Sequence, residues 1–102
     1  RDIKVRVNKA RKIQQNRYVG ESIYANAQLT PKLVEKYCSI NSESKQILES
    51  AFHKLGLSAR AYGRILKVAR TIADLDAAQN IQSAHIAEAI QYRSLDKKYW
   101  NN

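Results

Sequence analysis

The sequence predicts an all-α fold, a small helical bundle of about five helices. Three observations lead there. Only three glycines and one proline punctuate the 102 residues, which favours long helices over many short strands. Apolar residues recur at helical spacing in segment after segment, and strand signals are absent. Helix-start residues stand in front of several of these stripes. At this length one domain fits and two do not, and a single core burying roughly 60–65% of the unfolded chain's surface is feasible without staples.

The first helix is expected over residues 3–18. Ile3, Val7, Ala10, Ile13–Gln14 and Tyr18 form its apolar stripe, with Lys and Arg opposite and Gly20 available for a left-handed cap. Residues 20–30 have no period and read as an ordered connection in which Ile23, Tyr24 and Leu29 pack. Thr30-Pro31 signals a short helix to Tyr37, because Thr caps and Pro suits the first helical position. Asn41 or Ser42 then caps a helix whose face is Ile47, Leu48, Ala51, Phe52 and Leu55, the clearest core stripe in the chain. Gly56 ends it, Leu57 supplies the apolar contact that accompanies such a cap, and Ser58 caps the next helix. That helix runs from Ala59 to Leu75, with Tyr62, Ile65, Leu66, Ala69, Ile72 and Ala73 inward. Gly63 inside it costs about 1 kcal/mol relative to alanine. After a loop over 76–82, Ser83 is expected to cap a last helix to Leu95. The division is therefore one domain over 1–102: a basic helix over 1–19, a connection with a short helix over 20–41, a three-helix core over 42–95 and a tail over 96–102.

Charge narrows the partners. Lys+Arg number 18 against 9 Asp+Glu, a net +9, and the excess is uneven. Residues 1–20 hold Arg1, Lys4, Arg6, Lys9, Arg11, Lys12 and Arg17 against Asp2 alone, and residues 57–73 hold Arg60, Arg64, Lys67 and Arg70 with no acid. Such a balance implies anionic partners: nucleic acid, nucleotide phosphate or an acidic protein face. No apolar run approaches the roughly 18 residues of a membrane span and no signal peptide is visible, so no membrane partner and a cytoplasmic location are expected. The start at Arg1 and the lack of methionine lead us to expect an excised domain of something longer.

Catalytic chemistry has few footholds. One cysteine, Cys38, makes no internal disulfide and reads as a buried small apolar residue. His53 and His85 lie on different helices and read as solvated or capping residues, so no metal site is expected. Asp74 and Asp76 sit at a helix end and read as solvated. Ser58 is explained by its cap, and no Gly-rich phosphate loop exists. An autonomous enzyme is not expected, and no complete catalytic set stands in the chain.

The basic residues carry more. Arg60, Arg64 and Lys67 fall at i, i+4, i+7 and share one helix face. Arg60 and Arg64 lie in the first two turns, where the helix dipole is already positive. A helix start with free N–H groups and an arginine suits a phosphate, because guanidinium forms paired hydrogen bonds. An ordinary solvated face remains the alternative. Lys4, Arg11, Lys12 and Arg17 form a second basic face that can track a phosphate backbone or meet an acidic neighbour. Tyr92, Tyr99 and Trp100 can stack on bases or serve packing.

The string Ser58-Ala-Arg-Ala-Tyr-Gly-Arg-Ile-Leu-Lys-Val-Ala-Arg-Thr-Ile-Ala-Asp-Leu75 resembles the signature of the C-terminal domain of magnesium-chelatase-like AAA+ ATPases, the ComM family. The resemblance continues through His85-Ile86-Ala87-Glu88-Ala89-Ile90-Gln91-Tyr92-Arg93. Upstream it takes in Ala10-Arg11-Lys12-Ile13-Gln14, Arg17-Tyr18, Asn26-Ala27 and Leu55-Gly56-Leu57-Ser58, so it covers about residues 5–95. Gly63 departs from the bulkier residue expected there. The resemblance implies an AAA+ lid-type bundle following an ATPase core that lies upstream. Arg60 matches the family's sensor-2 arginine, which would contact the ATP γ-phosphate in its own subunit or a neighbour's. Arg64 would assist nucleotide binding, with Lys67 and Arg70 as supporting or interface positions. It further implies ATP and Mg²⁺ in the parent protein with neither expected on this fragment. Its partners would be the upstream core, neighbouring subunits of a hexamer, and DNA, in a branch-migration helicase linked to natural transformation. The alternative is a stand-alone basic helical module that binds nucleic acid.

Overall fold

A computed structural model describes the backbone of residues 2–100 and the side chains of residues 3–92. Among the described residues there are five α-helices: α1 (Asp2–Arg17), α2 (Pro31–Tyr37), α3 (Ser42–Leu55), α4 (Ala59–Leu75) and α5 (Ser83–Trp100), with a 3-10 turn at Asn26–Gln28. No strand occurs among the described residues.

The ends of the helices follow from the residues that stand there. Thr30 accepts a hydrogen bond from the Leu33 amide and Pro31 opens α2. Asn41, not Ser42, caps α3 by accepting from the Ser44 amide at 2.8 Å. Ser58 caps α4 by accepting from Ala61. Gly56 adopts φ +61° at the close of α3, a left-handed conformation that glycine enters without a Cβ clash. The Leu57 amide then returns to the Phe52 carbonyl, and the buried Leu57 side chain seals the cap.

α4 lies at the centre and packs on α1, α2, the 3-10 turn and α5, while α3 packs on α5. Ala61, Ala69 and Ala73 on α4 and Ala89 on α5 are all buried. Small side chains at these positions let neighbouring backbones approach closely, and Leu48, Ile65 and Ile86 fill the space between. Tyr18, Leu29, Val34 and Cys38 extend the same core towards α1 and α2. The three-helix core expected over 42–95 is therefore one part of a larger one.

Several expectations are corrected. The apolar stripe of α1 is buried at Ala10 but runs out into solvent at Val7 (38% exposed) and Ile3 (74%). Tyr24 is 77% exposed and stays out of the core that Ile23 and Leu29 join. The backbone of that stretch is satisfied instead by Gln28, whose Oε1 accepts from the Tyr24 and Ala25 amides. Ser83 is the first residue of α5, not its cap; its hydroxyl donates to Glu43 and bonds Ser44 of α3. α5 continues through Trp100, so the stretch from Asp96 is helix where a tail was expected. The side-chain roles of Tyr99 and Trp100 lie outside the described residues.

A candidate phosphate-facing helix start over a buried charge hub

Arg60 stands at the second position of α4, one residue past the start set by the Ser58 cap. Arg64 follows one turn later. Both are exposed, and among the described residues neither joins a salt bridge. They line a cleft of about 410 Å³ between α2 and α4, whose apolar lining includes Pro31, Val34, Tyr62 and Leu66. Glu35 and Lys67 reach the same cleft. Gly63 opens it further, since a Cβ placed there would meet nothing within 4 Å. Arg64 and Lys67 also border a second groove of about 600 Å³ along α4 and α5, with Val68, Ile72, Leu75 and Tyr92. The three cations expected on one face are thus together at the surface.

Arg70 and Arg17 are elsewhere. Asp74 is fully buried, contrary to its expected solvation, and its carboxylate gathers both arginines. Arg17 donates to it through Nη2 at 2.5 Å and Nη1 at 3.0 Å. Arg70 approaches at 3.3 Å. Its Nη2 also donates to the carbonyls of Ala78 and Gln79. Asn26 Nδ2 donates to Asp74 at 2.9 Å and to Thr71 at 3.0 Å, while its Oδ1 accepts from the Tyr18 hydroxyl. Gln14 accepts from the Asn26 amide. A buried carboxylate is costly unless paired and hydrogen-bonded, and here three hydrogen bonds and a second arginine's charge meet it. Arg17 therefore does not belong to the basic face of α1, where Lys4, Arg11 and Lys12 are exposed. Arg70 is a buried structural residue on this geometry.

Burial works against the Arg17 charge, but its bonds to Asp74 outweigh that and raise its pKa. Burial and the neighbouring Arg17 hold Arg70 down from its ordinary value. Burial pushes the Cys38 thiol up to about 11, so the thiol is protonated at neutral pH and is a weak nucleophile.

Periodicity could not find this hub, because its members are partners across three elements. The signal that could have found it was the string resemblance: Gln14, Arg17-Tyr18, Asn26, Thr71 and Asp74 all stand in the quoted segments. His85 is a capping residue, accepting from the Gln82 amide through Nδ1, but a buried one that also meets Asp76 at 3.2 Å. Among the described residues, no three His, Cys, Asp or Glu side chains gather as metal ligands, and no helix is long and apolar enough to cross a membrane.

Fold and surface define a helical domain whose buried arginines are tied to one carboxylate and whose exposed cations include a cluster at the start of α4 and a face of α1. The chain belongs to the family described as magnesium chelatase, subunit ChlI C-terminal, which it matches over residues 1–93. It is 47% identical over 93 residues to competence protein ComM of Haemophilus influenzae, covering 91% of this chain and 18% of that protein. It is 44% identical over 72 residues to the protein YifB of Salmonella typhimurium and to that of Escherichia coli, covering 71% of this chain and 14% of each. The chain thus spans less than a fifth of the length of these relatives.

Proposed function

We propose that this domain is the C-terminal lid of a magnesium-chelatase-like AAA+ ATPase and contributes Arg60 as a sensor-2 arginine to ATP binding and hydrolysis. The observation that carries the reading is the contrast between the arginines. Arg17 and Arg70 are locked on Asp74, while Arg60 and Arg64 stand exposed beside a cleft at the start of α4. Cations near a helix start are unfavourable by a few tenths of a kcal/mol unless an anion approaches. The γ-phosphate of ATP is such an anion, and its charge must be stabilised as it transfers. Arg64 assists, and Lys67 supports the same face. In this reading the parent carries the phosphate loop and Mg²⁺-binding acid upstream, assembles as a hexamer and remodels DNA by branch migration. The likeness to competence protein ComM supports that direction.

The test is Arg60→Ala in the full-length protein. ATP turnover should fall by on the order of 100-fold or more while the helical circular dichroism stays unchanged. Unchanged turnover removes the claim.

A second reading is favoured by the exposed Lys4, Arg11 and Lys12 on α1: the domain is a nucleic-acid-binding module in its own right. It requires DNA binding by the domain itself that weakens steeply between 50 and 200 mM salt, as phosphate contacts demand. No binding at the lower salt dismisses it.

A further inference from the structure

Two hollows flank α4. The cleft beside Arg60 lies between α2 and α4, and the larger groove lies between α4 and α5. Arg64 and Lys67 line both, and no other described residue does. They stand three residues apart on the ridge between the hollows, neighbours on one helix face. Arg60 lines the cleft alone. Each hollow also holds one carboxylate: Glu35 of α2 in the cleft and Glu88 of α5 in the groove. Both are exposed, and among the described residues neither makes an ion pair. The groove that Glu88 joins has Val68, Ile72 and Leu75 in its wall, and opposite charges attract more strongly beside apolar walls than in open water. Two cations on long side chains therefore have an anion on either side of them and cannot meet both at once.

We propose that Arg64 and Lys67 form a two-position arm and that Glu88 is the positioning residue that parks it. With no phosphate in the cleft, the arm lies over the groove on Glu88; a phosphate beside Arg60 draws it back. The inference rests on the reading that the Arg60 cleft faces the phosphate of ATP, and adds the regulation of that site. Arg60 takes no part in the exchange, because it borders the cleft and not the groove, so it stays as the fixed contact. Glu35 cannot park the arm. It shares the cleft with the phosphate, so a cation turned to Glu35 has not left the site, and its own charge opposes the phosphate. Glu88, across the ridge, draws the arm away. Nucleotide binding then includes breaking the pair with Glu88, which raises Kd and leaves the bound complex, and so its turnover, as it was.

Binding of a mant-labelled ATP to the full-length protein, followed by fluorescence with turnover measured alongside, tests this. Glu88→Gln should lower Kd by about two- to fivefold, the worth of one exposed ion pair, with kcat changed by less than about twofold. A Glu88 that served only packing would raise Kd or leave it alone, and either result overturns the proposal. In a protein already carrying Arg64→Ala and Lys67→Ala, the same substitution should leave Kd unchanged, because no arm remains to be released. A fall that persists there also overturns the proposal, since Glu88 would then act by its field on the nucleotide. Should Glu88→Gln misfold by circular dichroism, Glu88→Asp replaces it: the shorter stem should lower Kd part of the way, and no fall overturns the proposal as before. Wild-type turnover in Arg60→Ala sinks the sensor-2 reading, whereas an unchanged Kd in Glu88→Gln beside an inactive Arg60→Ala sinks this proposal alone.

Discussion

Asp74 is the residue on which the charge arrangement turns. It is buried with two arginines and an asparagine around it, and removing it would strand two guanidinium groups in the interior. Asp74→Ala should therefore destabilise the domain by about 3–5 kcal/mol, read by urea unfolding, because breaking a buried pair leaves an uncompensated charge. Asp74→Asn should do less harm, since the amide still accepts from Arg17. Equal losses in both would show that the hub depends on the carboxylate's charge and not on a remaining acceptor. The sequence could not assign this role. Asp74 stands two residues before a loop, where a carboxylate is ordinarily solvated, and the partners that bury it lie 48 and 57 residues away. Arg60 was legible for the opposite reason: its position at a helix start is a local fact, readable from the Ser58 cap two residues before it.

At the scale of elements, the caps decide most boundaries, and most were readable. Thr30-Pro31, Gly56 and Ser58 all do what their residue types favour. Asn41→Ala should cost about 1 kcal/mol in thermal unfolding, and an unchanged midpoint would mean that Ser42 can take over. The end of α4 was less readable, because no glycine marks it. Ala77 takes φ +54° there, which costs an L-residue about 1–2 kcal/mol. Arg70 holds the turn by its bonds to the Ala78 and Gln79 carbonyls. Ala77→Gly should then stabilise the domain by about 0.5–1 kcal/mol, measured by urea titration. A loss would show that the added freedom of the unfolded chain outweighs the relieved strain. The outer half of α1 was misjudged because periodicity reports which face is apolar and not what lies beneath it.

For the molecule as a whole, burial of titratable groups sets a limit at high pH. Below pH 9 the Cys38 thiol is protonated in the folded and unfolded chain alike. Between pH 9 and about 11 the unfolded chain releases that proton while the folded chain keeps it, so stability present below pH 9 is lost across this window. The loss amounts to about 2–3 kcal/mol at 1.4 kcal/mol per tenfold change. Tyr18, whose phenol is also raised by burial, tilts the curve the same way. The Cys38→Ala variant should show a shallower fall of unfolding free energy between pH 9 and 11, and an identical slope would place the effect elsewhere. The burial of Cys38 was foreseeable from residue type alone, because a lone cysteine with no ligand set is most often core.

Gly63 leaves a gap in the wall of the cleft beside Arg60 and Arg64. Filling it with a single methyl group should firm up α4 by up to about 1 kcal/mol without meeting any atom beyond its chain neighbours and its own helix backbone within 4 Å. Gly63→Ala is therefore a gauge of clearance. If the proposed function holds and the full-length variant keeps its ATP turnover, whatever approaches Arg60 stands off by more than a methyl's breadth; a drop in turnover while the melting point climbs means that the bare helix lets something come close.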